Sequence, residues 1–101
     1  MPRVSDDVLD RVTRRGIRIS RRGFTLYYLK FLNPPAPRIV ISQKVDKRAV
    51  VRNRLRRRIR AIVQTYRLPN RALVIITRKE LVALTYPELK QQVGDVLGQI
   101  Q

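Results

Sequence analysis

The clearest alternation of apolar and polar positions runs from Lys47 to Tyr66. At about 100° per residue, Val51, Leu55, Ile59, Ile62, Val63 and Tyr66 gather on one side of a helix. Arg56, Arg60, Asn53 and Arg57 gather on the other, with Arg52 at the seam. One stripe suits a core, and the cationic stripe must face outward. Pro69 stops the helix, with Leu68-Pro69-Asn70 as the turn.

The remaining pattern supplies the platform for this helix. Ser5 reads as an N-cap, with Asp6 and Asp7 in the first turn. Val8, Leu9 and Val12 form an apolar face, and Gly16 closes this first helix. Ile17 to Ser20 alternates briefly and predicts an edge strand. After Gly23 a stronger strand begins, in which Phe24, Leu26 and Tyr28 alternate with Thr25, Tyr27 and Leu29, and it continues to Leu32. Both of its faces carry apolar or aromatic residues, so one is expected in the core and the other lined for a ligand. Asn33 to Pro37 is a stiff loop. Arg38 to Gln43 predicts a third strand, and Lys44 to Asp46 leads into the basic helix. Ala72 to Thr77 is continuously apolar, as in a central strand buried on both faces. Lys79 to Leu84 is a short helix or turn. Thr85 and Glu88 form a capping box, after which Leu89, Val93, Val96, Leu97 and Ile100 mark the inner face of a last helix. The expected fold is α+β, a single-sheet sandwich of order α-β-β-β-α-β-α, with one domain over residues 1–101. The strands flanking the basic helix are expected to lie parallel.

Charge turns this fold toward a partner. The chain carries 23 Lys and Arg against 7 Asp and Glu, a net charge of +16. Such a balance points to nucleic acid or an anionic membrane surface. No apolar run approaches the roughly 20 residues needed to span a bilayer. No signal peptide is visible, and the chain reads as cytoplasmic. Cysteine and histidine are absent, which removes disulfides, thiolate metal sites and the usual general base. Asp6, Asp7 and Asp10 are read as compensating the first helix's dipole rather than as a metal site. No cofactor is expected on the protein alone. Arg52, Arg56 and Arg60 repel one another at i,i+4 spacing, and an anionic polymer would relieve that strain. Phe24, Tyr27 and Tyr28 are aromatics of the kind that stack unpaired bases, which favours RNA.

Ser42-Gln43-Lys44-Val45-Asp46-Lys47-Arg48-Ala49-Val50-Val51-Arg52-Asn53-Arg54-Leu55-Arg56-Arg57 resembles the signature of the protein subunit of bacterial ribonuclease P. The family has a Ser/Ala-x-Lys connection, an Ala-Val pair, then Arg-Asn-Arg-x-Lys/Arg-Arg. The resemblance extends to Gly16, the Phe24 to Leu29 strand, the Leu73 to Thr77 strand and Leu84-Thr85-Tyr86. It implies a protein that binds a large catalytic RNA and assists 5′ maturation of precursor tRNA, with bond cleavage performed by the RNA. It also implies a left-handed β-α-β crossover, magnesium in the RNA complex and a monomer in that complex. Matched residue by residue, Lys44, Arg52, Asn53, Arg54, Arg56, Arg57 and Arg60 would face the catalytic RNA. Phe24 and Tyr27 would line a cleft for the precursor's 5′ leader. Two places depart from the family pattern. Only Met1 to Val4 precedes Ser5, where the family has a basic segment. Leu9 and Thr13 stand where the first helix often carries phenylalanines.

Two other classes remain in view. A structural rRNA-binding protein of the ribosome shares the charge and build without requiring the Arg-Asn-Arg spacing. A DNA-binding module could place the basic helix in a major groove, but base reading needs more varied polar side chains than this arginine face offers.

Overall fold

The computed structural model describes the backbone of residues 4–100 and the side chains of residues 7–100. Its elements are α1 (Val4–Arg15), β1 (Ile17–Ser20), β2 (Phe24–Lys30), β3 (Arg38–Val40), α2 (Ala49–Gln64), β4 (Arg71–Thr77) and α3 (Tyr86–Ile100), with a 3-10 turn at Lys79–Leu81. The expected α+β order is the observed one. α1 already begins at Val4, so Ser5 lies within the helix and is not its N-cap. β2 ends at Lys30, two residues short of the expected limit. β3 is shorter still, since only Arg38, Ile39 and Val40 pair with Val74, Ile75 and Ile76. Ile41 stays buried without joining the ladder.

Four strands form one sheet in the order β1-β2-β4-β3. The apolar run of β4 takes an inner position, antiparallel to β2 and parallel to β3. Strand β3 therefore reaches β4 through a crossover that contains α2. The strands' two-residue side-chain period sorts the core into two clusters. On one face Phe24, Leu26, Leu73 and Ile75 meet Leu55, Ile59, Ile62 and Val63 of α2 and Leu89, Val93, Val96 and Leu97 of α3. On the other, Ala72 and Val74 meet Val12 of α1, with Val8, Leu9, Tyr27, Leu29, Phe31, Val40 and Ile76 around them. The sheet is thus the middle layer, with α1 on one side and α2 and α3 on the other.

Local chemistry fixes the ends. The Thr85 backbone N–H donates to Glu88 Oε1 at 2.9 Å, and the Glu88 N–H donates to Thr85 Oγ1 at 3.3 Å, so the capping box forms as expected. The Thr85 backbone N–H and hydroxyl, both donating to Oε1, hold the Glu88 carboxyl below its usual range. At the far end of α3, Arg71 Nε donates to the Ile100 carbonyl at 3.2 Å, placing a cation at the negative helix end. No helix among the described residues is long and apolar enough to cross a membrane.

Candidate nucleic-acid interface

Helix α2 is held by its apolar stripe. Leu55, Ile59, Ile62 and Val63 are buried, while Val51 and Tyr66 are half-buried at its ends. Every charged residue of α2 is an arginine, and its first turn has no acid to offset the dipole. Its N-cap, Arg48, makes no side-chain cap. The lead-in loop is instead fastened by Asp46 and Arg52. Asp46 accepts from the Arg48 backbone N–H at 2.8 Å and pairs with the Arg48 guanidinium at 2.9 Å. These bonds, with the nearby charges of Arg48 and Arg52, lower its carboxyl pKa to about 2. Arg52 Nη1 donates to the carbonyls of Asp46 and Lys47, each at 2.9 Å. Arg52 therefore shapes the loop as well as contributing charge.

The outer face holds the other motif residues. Asn53, Arg54, Arg57 and Arg60 are exposed, and Arg56 is half-buried. Arg56 Nη1 donates to Asn53 Oδ1 at 3.0 Å, which orients both side chains one turn apart. Lys44 lies exposed in the turn closed by the Val45 N–H to the Ser42 carbonyl, just before α2. The structure thus brings the motif residues onto one helix and its entry loop. On α2 they offer a dense set of forked donors with no carboxylate on the helix itself, suited to phosphates.

The aromatic pair requires a correction. Phe24 and Tyr27 do not share a cleft. Three residues apart on a strand, they point to opposite faces. Phe24 is 0% exposed within the α2 and α3 core and offers no ring face to a base. Tyr27 lies on the α1 face, half-buried and packed against the Val12, Ala72 and Val74 cluster. Tyr28 returns to the first face, where the Arg71 guanidinium lies 5.9 Å from its ring centroid. Tyr27 and the α2 motif consequently occupy opposite sides of the sheet. On α1, Thr13 turns its hydroxyl back to the Leu9 carbonyl at 2.9 Å, so Leu9 supplies the apolar contact there.

From the sequence alone, Arg58, Arg78 and Tyr86 receive no site role. Arg58 sits beside the apolar stripe, and its guanidinium lies 5.7 Å from the Tyr86 ring centroid. Arg78 donates through Nη1 to the Arg21 carbonyl at 2.7 Å and through Nη2 to Thr25 Oγ1, joining the ends of β2 and β4. Its signal was only a cation directly after a buried strand.

The family model described as Ribonuclease P matches residues 5–101. The chain belongs to that family. A ribonuclease P protein component from a Cyanothece species is 37% identical over 91 residues, covering 87% of this chain and 70% of that protein. One from Thermus scotoductus is 49% identical over 53 residues, covering 52% of this chain and 32% of that one. The fold agrees with the ribonuclease P protein of Thermotoga maritima at a TM-score of 0.81, with 21% identity, over 99% of this chain and 96% of the other.

Proposed function

We propose that this chain is the protein subunit of a ribonucleoprotein endonuclease. It binds a catalytic ribonuclease P RNA and the 5′ leader of precursor tRNA, and assists the cut that makes the mature 5′ end. The observation that carries the reading is the arginine-rich outer face of α2, fixed to the core by its apolar stripe, in a chain of this family. Lys44, Arg52, Asn53, Arg54, Arg56, Arg57 and Arg60 are assigned to the catalytic RNA. Arginine forks grip phosphate oxygens. Asn53 Oδ1 already receives Arg56, so its amide nitrogen is the end offered to RNA. Tyr27 is assigned to the leader, stacking an unpaired base on the α1 face of the sheet. The protein acts as one copy per RNA, in the cytoplasm.

Cleavage is assigned to the RNA. Among the described residues, no three carboxylates converge where a metal ion could sit. Asp10 pairs with Arg14 at 2.9 Å, Asp46 with Arg48, and Glu88 caps α3. This donor set does not fit a resident magnesium ion, so magnesium enters the proposal only with the RNA.

The test is cleavage of a precursor tRNA by a ribonuclease P RNA at low magnesium, with and without the protein. The protein should restore cleavage that the RNA alone performs poorly. An equal rate at every magnesium concentration would reject the reading. Co-purification with ribosomal subunits in place of this RNA would favour the structural rRNA-binding alternative.

A further inference from the structure

Helix α2 has a second cationic flank. Arg58 follows Arg56 by two residues, so at about 100° each it points to nearly the opposite side of the helix. No phosphate group gripped by Arg56 can reach it. Arg58 instead faces the start of α3, with its guanidinium 5.7 Å from the centroid of the Tyr86 ring. Tyr86 is 40% exposed, although it is a large aromatic. Arg54, Arg57, Arg58, Ala61 and Tyr86 line an open concavity of about 520 Å³. A smaller one of about 250 Å³ adjoins it, sharing Arg54 and Arg58 and reaching Arg48 and Leu84. Neither lining includes an acidic side chain. The nearby Glu88 carboxylate is taken up by the Thr85 N–H and hydroxyl, each at 2.9 Å.

A ring presented in solvent among several guanidinium groups is built for a ligand with both a π face and negative charge. A lone phosphate would not use the ring, and an apolar peptide would not use the arginines. We propose that this flank binds one unpaired ribonucleotide. The base stacks on the Tyr86 ring, which Arg58 steadies, and Arg54 and Arg57 take the adjoining phosphates. The volume is in the range of a small-ligand site. The proposal rests on the reading that the chain binds RNA. Arg54 and Arg57 are shared with the catalytic-RNA face, and the stack on Tyr86 is the contact that neither that face nor Tyr27 supplies. The nucleotide can belong to the catalytic RNA or to the precursor, and the chemistry of recognition is the same.

The experiment uses the full chain, as wild type and as Tyr86→Leu, Tyr86→Phe and Arg58→Ala. Affinity is measured for the catalytic RNA over a range of salt, and then for precursor tRNA on the assembled RNA–protein complex. Thermal melting checks each fold. Tyr86→Leu should weaken binding roughly five- to hundredfold, since a stacked base is worth about 1–3 kcal/mol. Its salt dependence should match wild type, because no phosphate contact is lost. Tyr86→Phe should bind like wild type. Arg58→Ala should weaken binding less than Tyr86→Leu and leave the log–log salt slope near wild type, because Arg58 steadies the ring and holds no phosphate. A loss in the first measurement places the nucleotide in the catalytic RNA. A loss only in the second places it in the precursor. Unchanged affinity of Tyr86→Leu in both measurements overturns the proposal. So does a loss accompanied by a flatter salt slope, which would make the ring a mere prop for the arginines. A wild-type chain that binds neither RNA rejects the RNA-binding reading itself.

Discussion

Gly16 and Tyr28 approach so closely that a β-carbon on Gly16 would lie 2.7 Å from the Tyr28 carbonyl oxygen. The Gly16 N–H also donates to the Val12 carbonyl at 2.8 Å, closing α1. Backbone thus meets backbone where α1 turns into β1, and this corner sets how α1 lies over the sheet. Neither neighbour can rotate aside as a side chain would. Gly16→Ala should therefore destabilise the fold by about 1–3 kcal/mol, the usual cost of overpacking. For a domain this small that lowers the melting temperature by roughly 4–8 °C per kcal/mol. An unchanged melting curve would mean that the corner yields.

Leu55 and Phe24 are both core residues, but their failures should differ. Leu55 is 5% exposed at the centre of the α2 stripe. In Leu55→Asp a carboxylate would be buried without a partner, at a cost of several kcal/mol. The variant should be unfolded by circular dichroism at room temperature, given the slim margin of small domains. Phe24→Ala should cost about 3–5 kcal/mol through the cavity it leaves. Any loss of RNA binding in Phe24→Ala should track the unfolded fraction and recover at lower temperature, where the fold recovers.

Tyr27→Ala should show the converse. The fold should survive, because the ring is only half-buried at the margin of the smaller cluster. Binding of precursor tRNA should weaken about five- to hundredfold, while mature tRNA, which lacks the leader, should bind as before. Equal weakening of both would remove the leader from this face.

Asp46 gives a prediction in pH. Its carboxyl titrates near 2 in the folded chain against an ordinary 3.8. A depressed carboxylate stabilises the fold above its unfolded pKa, and that contribution is lost as pH falls through the folded value. The melting temperature of wild type should therefore exceed that of Asp46→Asn above about pH 4. The gap should close as pH falls from about 4 to about 2. A gap independent of pH across that window would show that the Arg48 pairing is not its source.

Salt should act strongly on the RNA complex. If the motif face and Lys44 neutralise on the order of six phosphates, the log–log slope should be about −4 for RNA with single-strand behaviour. A filter-binding series between low and moderate salt measures it, and a slope near −1 would remove this face from the contact.

Features set by neighbouring residues were readable from the chain itself. The Thr85–Glu88 box is a three-residue reciprocity, and the α2 stripe repeats with the helical period, so both appear where expected. The unbroken apolar run of β4 announced a central strand because both its faces are covered. What was missed depends on distant residues. Strand parity separates Phe24 from Tyr27, but only the packing of α1, α2 and α3 decides which face is sealed. Arg58 looked like one more charge beside the stripe, because its ring partner lies in another helix. The loop role of Arg52 was hidden, since its partners are backbone carbonyls. Ile41 satisfied every strand preference and still lies beyond the β3 ladder, which stops at Val40.

The place of β4 has a consequence for how the chain is made. It is the last strand in sequence and an inner one in space, so Leu26 must wait for Ile75. While the chain emerges, β1 and β2 can form only a hairpin, and two strands alone are marginal in water. The arginine helix is therefore synthesised before the floor it rests on is complete. Its apolar stripe has only part of its floor, Phe24 and Leu26 of β2, until Thr77 has appeared, and α3 follows later still. Such long-range pairing slows folding and leaves few stable intermediate stops. A nascent chain cut short before β4 holds most of the positive charge but lacks the inner strand and the last helix that close the core, a basic polymer exposed to every RNA around the ribosome.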